Sequence, residues 1–199
     1  MIHSPTSTNP AFISPPAKIP WYLRLGLWVT RRMSGADLLP ARLLAWYPKA
    51  AVSSAVLEGL IAHQDGQLDE RILKLVRMVV SFTAGCPFCV DMNSAGWEKL
   101  ISPAELSALQ GRKPVEEIAS FSKRESLAIE YARLISSTPL NFPRAHIAEL
   151  KQHFNEREIV ILATTAAQVN YWTRLIQALG CPPQGFSGVE LFLDLERGG

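Results

Sequence analysis

Apolar positions recur at three- and four-residue spacing along most of the chain, which predicts a succession of helices. The strongest run is Ile72 to Phe82, whose charges are Lys74 and Arg77 alone. It falls inside a helix expected over residues 69–84, capped by Asp69, with Leu73, Val76 and Val80 turned inward. A helix over residues 20–33 presents Trp21, Leu25 and Trp28 on one face, with Arg24, Arg31 and Arg32 toward its edges. That stripe is expected to dock on the core or on a partner rather than on a membrane surface. Gly35 ends it, and Pro40 and Pro48 bracket a short turn. Residues 50–63 read as a helix with Val52, Val56, Leu57 and Leu60 inward and His63 near its carboxyl end. Residues 64–67 read as a loop.

The second half carries three helix-start signals. They are Ser102 with Pro103 and Glu105, Ser122 with Glu125, and Asn155 with Glu158. Each opens an expected helix, ending near Gly111, Ser136 and Gly180 respectively. Pro143 starts a further helix to about His153. Its two histidines, His146 and His153, sit seven apart and read as surface or interface residues. Metal-binding pairs on a helix usually sit four apart. Residues 113–121 form a charged connector, and Cys181 to Gly185 is a break. Gly188 to Leu195 alternates weakly, as a short strand or an extended tail would. The pattern therefore defines an all-α, single-domain chain of seven to nine helices over residues 19–185. A flexible, proline-marked arm (1–18) and a tail (186–199) flank it.

Composition narrows the classes. The 199 residues are 48% hydrophobic, enough for one sizeable core. The charged fraction is 19%, somewhat lean, so part of the surface is expected to be covered by another subunit. A net charge of +2 gives no case for nucleic acid. No apolar run reaches the ~20 residues needed to span a bilayer, and residues 1–18 lack the features of a signal peptide. Cytoplasm is the expected location. No phosphate-binding loop or nucleophile elbow is present, and no cofactor is expected.

Chemistry concentrates in Cys86-Pro87-Phe88-Cys89, at the start of a helix expected to run to about Leu100. Unpaired N–H groups and the positive helix end favour thiolate over thiol there. A second cysteine one turn on can close a disulfide, so one sulfur can be oxidised and the other can resolve it. Two other readings stand beside this one. A zinc site needs four ligands, and only Cys181 and four scattered histidines remain to supply them. Two buried helix cysteines can also serve as small hydrophobes.

The segment from Leu68-Asp69-Glu70-Arg71 through Gly85-Cys86-Pro87-Phe88-Cys89-Val90-Asp91-Met92-Asn93 resembles the alkylhydroperoxidase AhpD-like, carboxymuconolactone decarboxylase superfamily. Trp21 to Pro48 is similar to that family's first helix and turn. Asn155 to Gly180, with Asn170-Tyr171-Trp172-Thr173-Arg174, is similar to its last long helix. The resemblance covers roughly residues 20–185. It implies Cys89 as the peroxide-reactive sulfur and Cys86 as proton donor and resolving partner. It implies that Asn170 and Arg174 line the pocket, and that the chain forms a dimer, trimer or hexamer.

Two positions depart from the family. Lys74 stands where a glutamate is expected, twelve before the first cysteine, and Asn93 where a histidine is expected, four after the second. An amide cannot take a proton near neutral pH. A nearby ammonium would stabilise a thiolate electrostatically. Asp91, Glu70 and His63 are the candidate substitutes for the base. The expected function is a thiol-dependent peroxidase that reduces small hydroperoxides and is recharged by a dithiol reductant protein. A lactone decarboxylase-like lyase and a non-catalytic member of the family are the alternatives.

Overall fold

The structure is a computed structural model and describes residues 11–61 and 68–187. Among these residues it is all-helical. The helices are α1 (Trp21–Ser34), α2 (Leu39–Leu43), α3 (Pro48–Ile61), α4 (Glu70–Thr83), α5 (Pro87–Ser94), α6 (Pro103–Leu109), α7 (Lys123–Ser136), α8 (Arg144–His153) and α9 (Glu156–Ala178). Short 3-10 turns lie at Leu44–Trp46, Trp97–Lys99 and Val115–Glu117. No helix among the described residues is long and apolar enough to cross a membrane. The expected His63, the loop at 64–67 and the weakly alternating segment at 188–195 lie outside the described residues.

Helix α4 is the axis. Asp69 caps it, accepting the Arg71 N–H at 2.8 Å. Leu75, Val76, Met78, Val79 and Val80 have no exposed surface. Burying each stabilises the fold by roughly 1.5–3 kcal/mol. Helices α7 and α9 pack along it, bringing Leu127, Ile129, Leu162 and Ala166 into one core.

All three capping boxes form as expected, at Ser102/Glu105, Ser122/Glu125 and Asn155/Glu158. Each box glutamate also holds an arginine from another part of the chain. Arg71 bridges Glu105 at 2.6 Å and Glu125 at 2.5 Å, tying the start of α4 to the starts of α6 and α7. Arg124 meets Glu158 at 2.7 Å and lies over the Phe154 ring. Burial pushes the Glu105 and Glu158 carboxyls up, but their hydrogen bonds and arginine partners outweigh it and hold both below the usual range.

Three expectations are corrected. Val52, Val56 and Leu60 face outward, and Leu60 is 76% exposed. Valine and alanine are spread around α3, so apolar spacing does not decide its orientation. Polar pairing with α9 decides it instead. Buried Ser54 shares a 2.8 Å hydrogen bond with the Tyr171 hydroxyl, and Glu58 accepts from Gln168 and Trp172. These residues occupy the face of α3 opposite Val52 and Val56. The cysteine helix is also shorter than expected, ending at Ser94. Ala95 leaves helical geometry (φ −51°, ψ 126°) and Gly96 adopts φ +66°, a conformation that favours glycine. His146 is not a plain surface residue. It is half-buried and stacks on Tyr131, ring centroids 6.4 Å apart.

The aromatic stripe of α1 does not dock on the core. Trp21 is 78% exposed, and Leu25, Trp28 and Met33 are exposed with it. The described part of the expected arm, residues 11–18, lies against the body. Ala11 is buried, the Phe12 N–H donates to the Leu179 carbonyl at 3.0 Å, and the Trp46 indole donates to the Ser14 carbonyl at 2.7 Å.

Candidate active site

Gly85, at φ +59°, turns the chain sharply out of α4 so that Cys86 becomes the residue capping α5. Pro87 takes the first helical position, where its missing N–H costs nothing. The Cys86 sulfur accepts the Cys89 N–H at 3.3 Å. The two cysteines are joined as a disulfide, Cα atoms 5.3 Å apart. One turn of α5 thus holds the pair, with an amide donor aimed at the first sulfur.

The surroundings of the pair are apolar. Cys86 is 0% and Cys89 3% exposed. Leu43, Phe88, Ile176 and Cys181 pack with them, and Trp172 and Phe186 close the cluster from the side. Cys181 is free, and burial pushes its thiol up to about 11, so it stays protonated near neutral pH.

A strap formed by residues 182–187 lies over this region, and Asp91 fastens it. The buried Asp91 carboxylate accepts the backbone N–H groups of Gln184, Gly185 and Ser187 at 2.8, 2.6 and 2.8 Å, and the Ser187 hydroxyl at 3.1 Å. The Gln184 side chain accepts from Leu39 N–H and donates to the Asp37 carbonyl, so the strap is tied to the start of α2 as well. Phe186 then meets Phe88 edge-on, centroids 6.3 Å apart. Four bonds saturate the acceptor capacity of Asp91, and its place is that of an anchor.

The remaining candidates scatter. Asn93, one turn beyond Cys89, donates to the Ser81 hydroxyl at 2.9 Å. Ser81 in turn donates to the Arg77 carbonyl at 2.8 Å. This chain ends on backbone and cannot relay a proton. Lys74 donates to the Ala95 carbonyl at 2.9 Å, at the carboxyl end of α5, where a cation is favoured. Burial, then the neighbouring Arg77, lowers its pKa. Glu70 is exposed at the first turn of α4, while the cysteines follow the last turn of that helix, roughly 20 Å along its axis. Asn170 donates to the Ser136 hydroxyl and the Ala166 carbonyl, both at 3.0 Å, joining α9 to α7. Arg174 is exposed.

Sequence reasoning passed over Glu58, Gln184 and Phe186. The Glu58 carboxylate accepts from the indole of Trp172, itself packed against the cysteine cluster. It stands on α3 with no motif to mark it. Gln184 and Phe186 sit in a proline-marked break, where the sequence carries no periodic signal.

No family model matches the chain. It is 29% identical over 174 residues to YnjA of Escherichia coli (strain K12), an uncharacterised protein, covering 87% of this chain and 94% of YnjA. Among solved structures it is similar to an alkylhydroperoxidase AhpD core, a peroxidase-related protein from Ralstonia eutropha JMP134. The TM-score is 0.71 at 17% identity, covering 88% of this chain and 93% of that one. It is also similar to the debrominase Bmp8 in complex with 2,3,4-tribromopyrrole. There the TM-score is 0.75 at 17% identity, covering 92% and 96%. The chain has the all-helical AhpD-like fold, shared with peroxidase-related proteins and with Bmp8.

Proposed function

We propose that the protein is a dithiol oxidoreductase that reduces hydroperoxides through Cys86 and Cys89. The observation that carries this reading is the joined cysteine pair at the amino end of α5, with the Cys89 N–H donated to the Cys86 sulfur. In the reduced state the Cys89 thiolate attacks the terminal oxygen of the hydroperoxide. The O–O bond breaks, an alcohol leaves with a proton from the Cys86 thiol, and Cys89 becomes a sulfenic acid. The Cys86 thiolate then attacks the Cys89 sulfur, a disulfide forms, and hydroxide leaves, taking a proton from solvent as water. A reduced dithiol protein restores the pair by attacking Cys89 and releasing Cys86, the sulfur that the helix end and the amide donor stabilise as thiolate. Such a cycle suits a reducing compartment, and a cytoplasmic location agrees with it.

Among the described residues, no histidine or carboxylate relay serves this site. Asn93 and Ser81 end on backbone, and Asp91 is saturated. Thiolate formation then rests on the amino end of α5. Among the described residues the lyase alternative finds no free base for the same reason. A second reductive reading, replacement of an aryl bromide by hydrogen with release of bromide, agrees with the aromatic side chains of Phe88, Trp172 and Phe186 around the pair. It draws on the same two electrons.

Access requires displacement of the strap, since both sulfurs are covered. The exposed apolar side chains of α1 and α3 fit a homo-oligomer. They offer on the order of 1,000 Å², against about 800 Å² per partner in a standard interface. The occupant proposed for this face is a second copy of the chain.

The test is rapid mixing of the reduced protein with hydroperoxide, following loss of free thiol. Wild type should react faster than a free thiol near pH 7, and Cys89→Ser should not. A wild-type rate no greater than that of a free thiol overturns the reading.

A further inference from the structure

We infer that the groove between α4 and the carboxyl end of α5 is a binding site for a small carboxylate, held by Lys74 and Arg77 beside the Asn93 amide. Lys74, Arg77 and Ser81 form one stripe of α4, three and four residues apart. Helix α5 packs across that stripe at two points, Asn93 on Ser81 at 2.9 Å and the Ala95 carbonyl on Lys74 at 2.9 Å. Arg77 lies between them. All three polar residues, Lys74, Arg77 and Asn93, are half-buried, so the groove is sheltered yet open to solvent.

The charge balance of this groove is the unusual feature. Neither Lys74 nor Arg77 meets a carboxylate among the described residues. Glu70, one turn before Lys74 on the same stripe, is exposed and unpaired with either. Elsewhere in the fold, Arg71 and Arg124 are each matched by glutamates. Two sheltered cations side by side repel, and the lowered Lys74 pKa agrees with that. An anion between them relieves both costs. The ammonium spends one N–H on Ala95 and keeps two donors, and the guanidinium offers a planar fork that suits a carboxylate.

Cys89 and Asn93 share a face of α5, about 6 Å apart along its axis. A carboxylate seated in the groove therefore points the rest of its molecule toward the sulfur. Resting on the redox reading above, this names the substrate class as hydroperoxides that carry a carboxylate.

Binding and turnover are tested separately. Calorimetric titration of the full chain carrying Cys86→Ser and Cys89→Ser, with benzoate and with uncharged benzamide, reads the groove alone. Benzoate should bind and benzamide should not. Arg77→Gln and Lys74→Gln should each weaken benzoate roughly tenfold to a hundredfold, the worth of one charge-assisted hydrogen bond, and Lys74→Arg should retain binding. Arg77 meets no carboxylate among the described residues, so its variant reports on the ligand rather than on a lost ion pair there. Absence of benzoate binding, equal binding by wild type and Arg77→Gln, or equal affinity for benzamide overturns the site. In the cysteine-bearing protein, the ratio of kcat/KM for a fatty-acid hydroperoxide over a neutral alkyl hydroperoxide should fall in Arg77→Gln. Benzoate binding without any peroxide turnover would leave the site standing and defeat the redox reading alone.

Discussion

The two ends of α5 are built from opposite materials. Its amino end carries the cysteines and is closed by hydrocarbon, with Leu43, Phe88, Ile176 and Phe186 around two sulfurs that water scarcely touches. Its carboxyl end carries Asn93 and meets Lys74 and Ser81 of α4, with Arg77 on the same stripe. Lys74, Arg77 and Asn93 there are half-buried, and two of them are cations. Helical spacing puts Cys89 and Asn93 on one face, and it says nothing of this change of environment within a single turn. In the reading proposed above, a nucleophile kept dry and a charged anchoring point kept wet divide the work that a single polar pocket would otherwise combine.

The largest effect expected at the dry end is on turnover. Cys89→Ser should abolish hydroperoxide reduction, a loss of at least about a hundredfold, while Cys86→Ser should stop the cycle after one sulfenic acid per chain, as a sulfenic-acid probe would show. Next is the strap. Asp91→Ala removes the acceptor of four hydrogen bonds, and alkylation of the reduced cysteines should speed up by roughly one to two orders of magnitude as the segment opens locally. If alkylation is unchanged, the strap is not what separates the two ends.

At the wet end, Lys74→Glu with Asn93→His restores the pair expected from the family resemblance. Reaction with a neutral hydroperoxide should rise about tenfold, the low end of what a positioned base contributes, and acquire a pH dependence near 6.5. The Lys74→Glu change alone should lower stability, because a carboxylate would face the Ala95 carbonyl.

The smallest effect concerns the frame that holds both ends. Glu105 and Glu158 are held below the usual carboxylate range, so they contribute stability above the unfolded pKa near 4.3 that is lost as pH falls through their folded values. Unfolding free energy measured from pH 6 downward, roughly to 3, should decline, and Glu105→Gln should flatten that decline.

Much of the frame was legible because its determinants are local. Ser102 and Glu105 lie three residues apart and act on each other, so their capping box can be read directly. The same holds for Cys86 as the cap of α5. What could not be read depends on distant partners or on weak pattern. Asp91 meets Gln184 across 93 residues, and Glu58 meets Trp172 across 114. Apolar residues are spread around helix α3, so Val52, Val56 and Leu60 gave no direction, and hydrogen bonds to α9 turned them outward. The site is half legible for the same reason. The cysteine pair is local, and the cations opposite Asn93 become a site only once α4 and α5 lie side by side.

Because Asp91 is joined to Gln184 over 93 residues of chain, the cover of the cysteine pair is synthesised well after the pair itself. At about 5–20 residues per second, the nascent thiols stand without that cover for roughly 5–20 seconds. During that interval the surrounding redox buffer, and not the finished protein, governs whether the two sulfurs are joined.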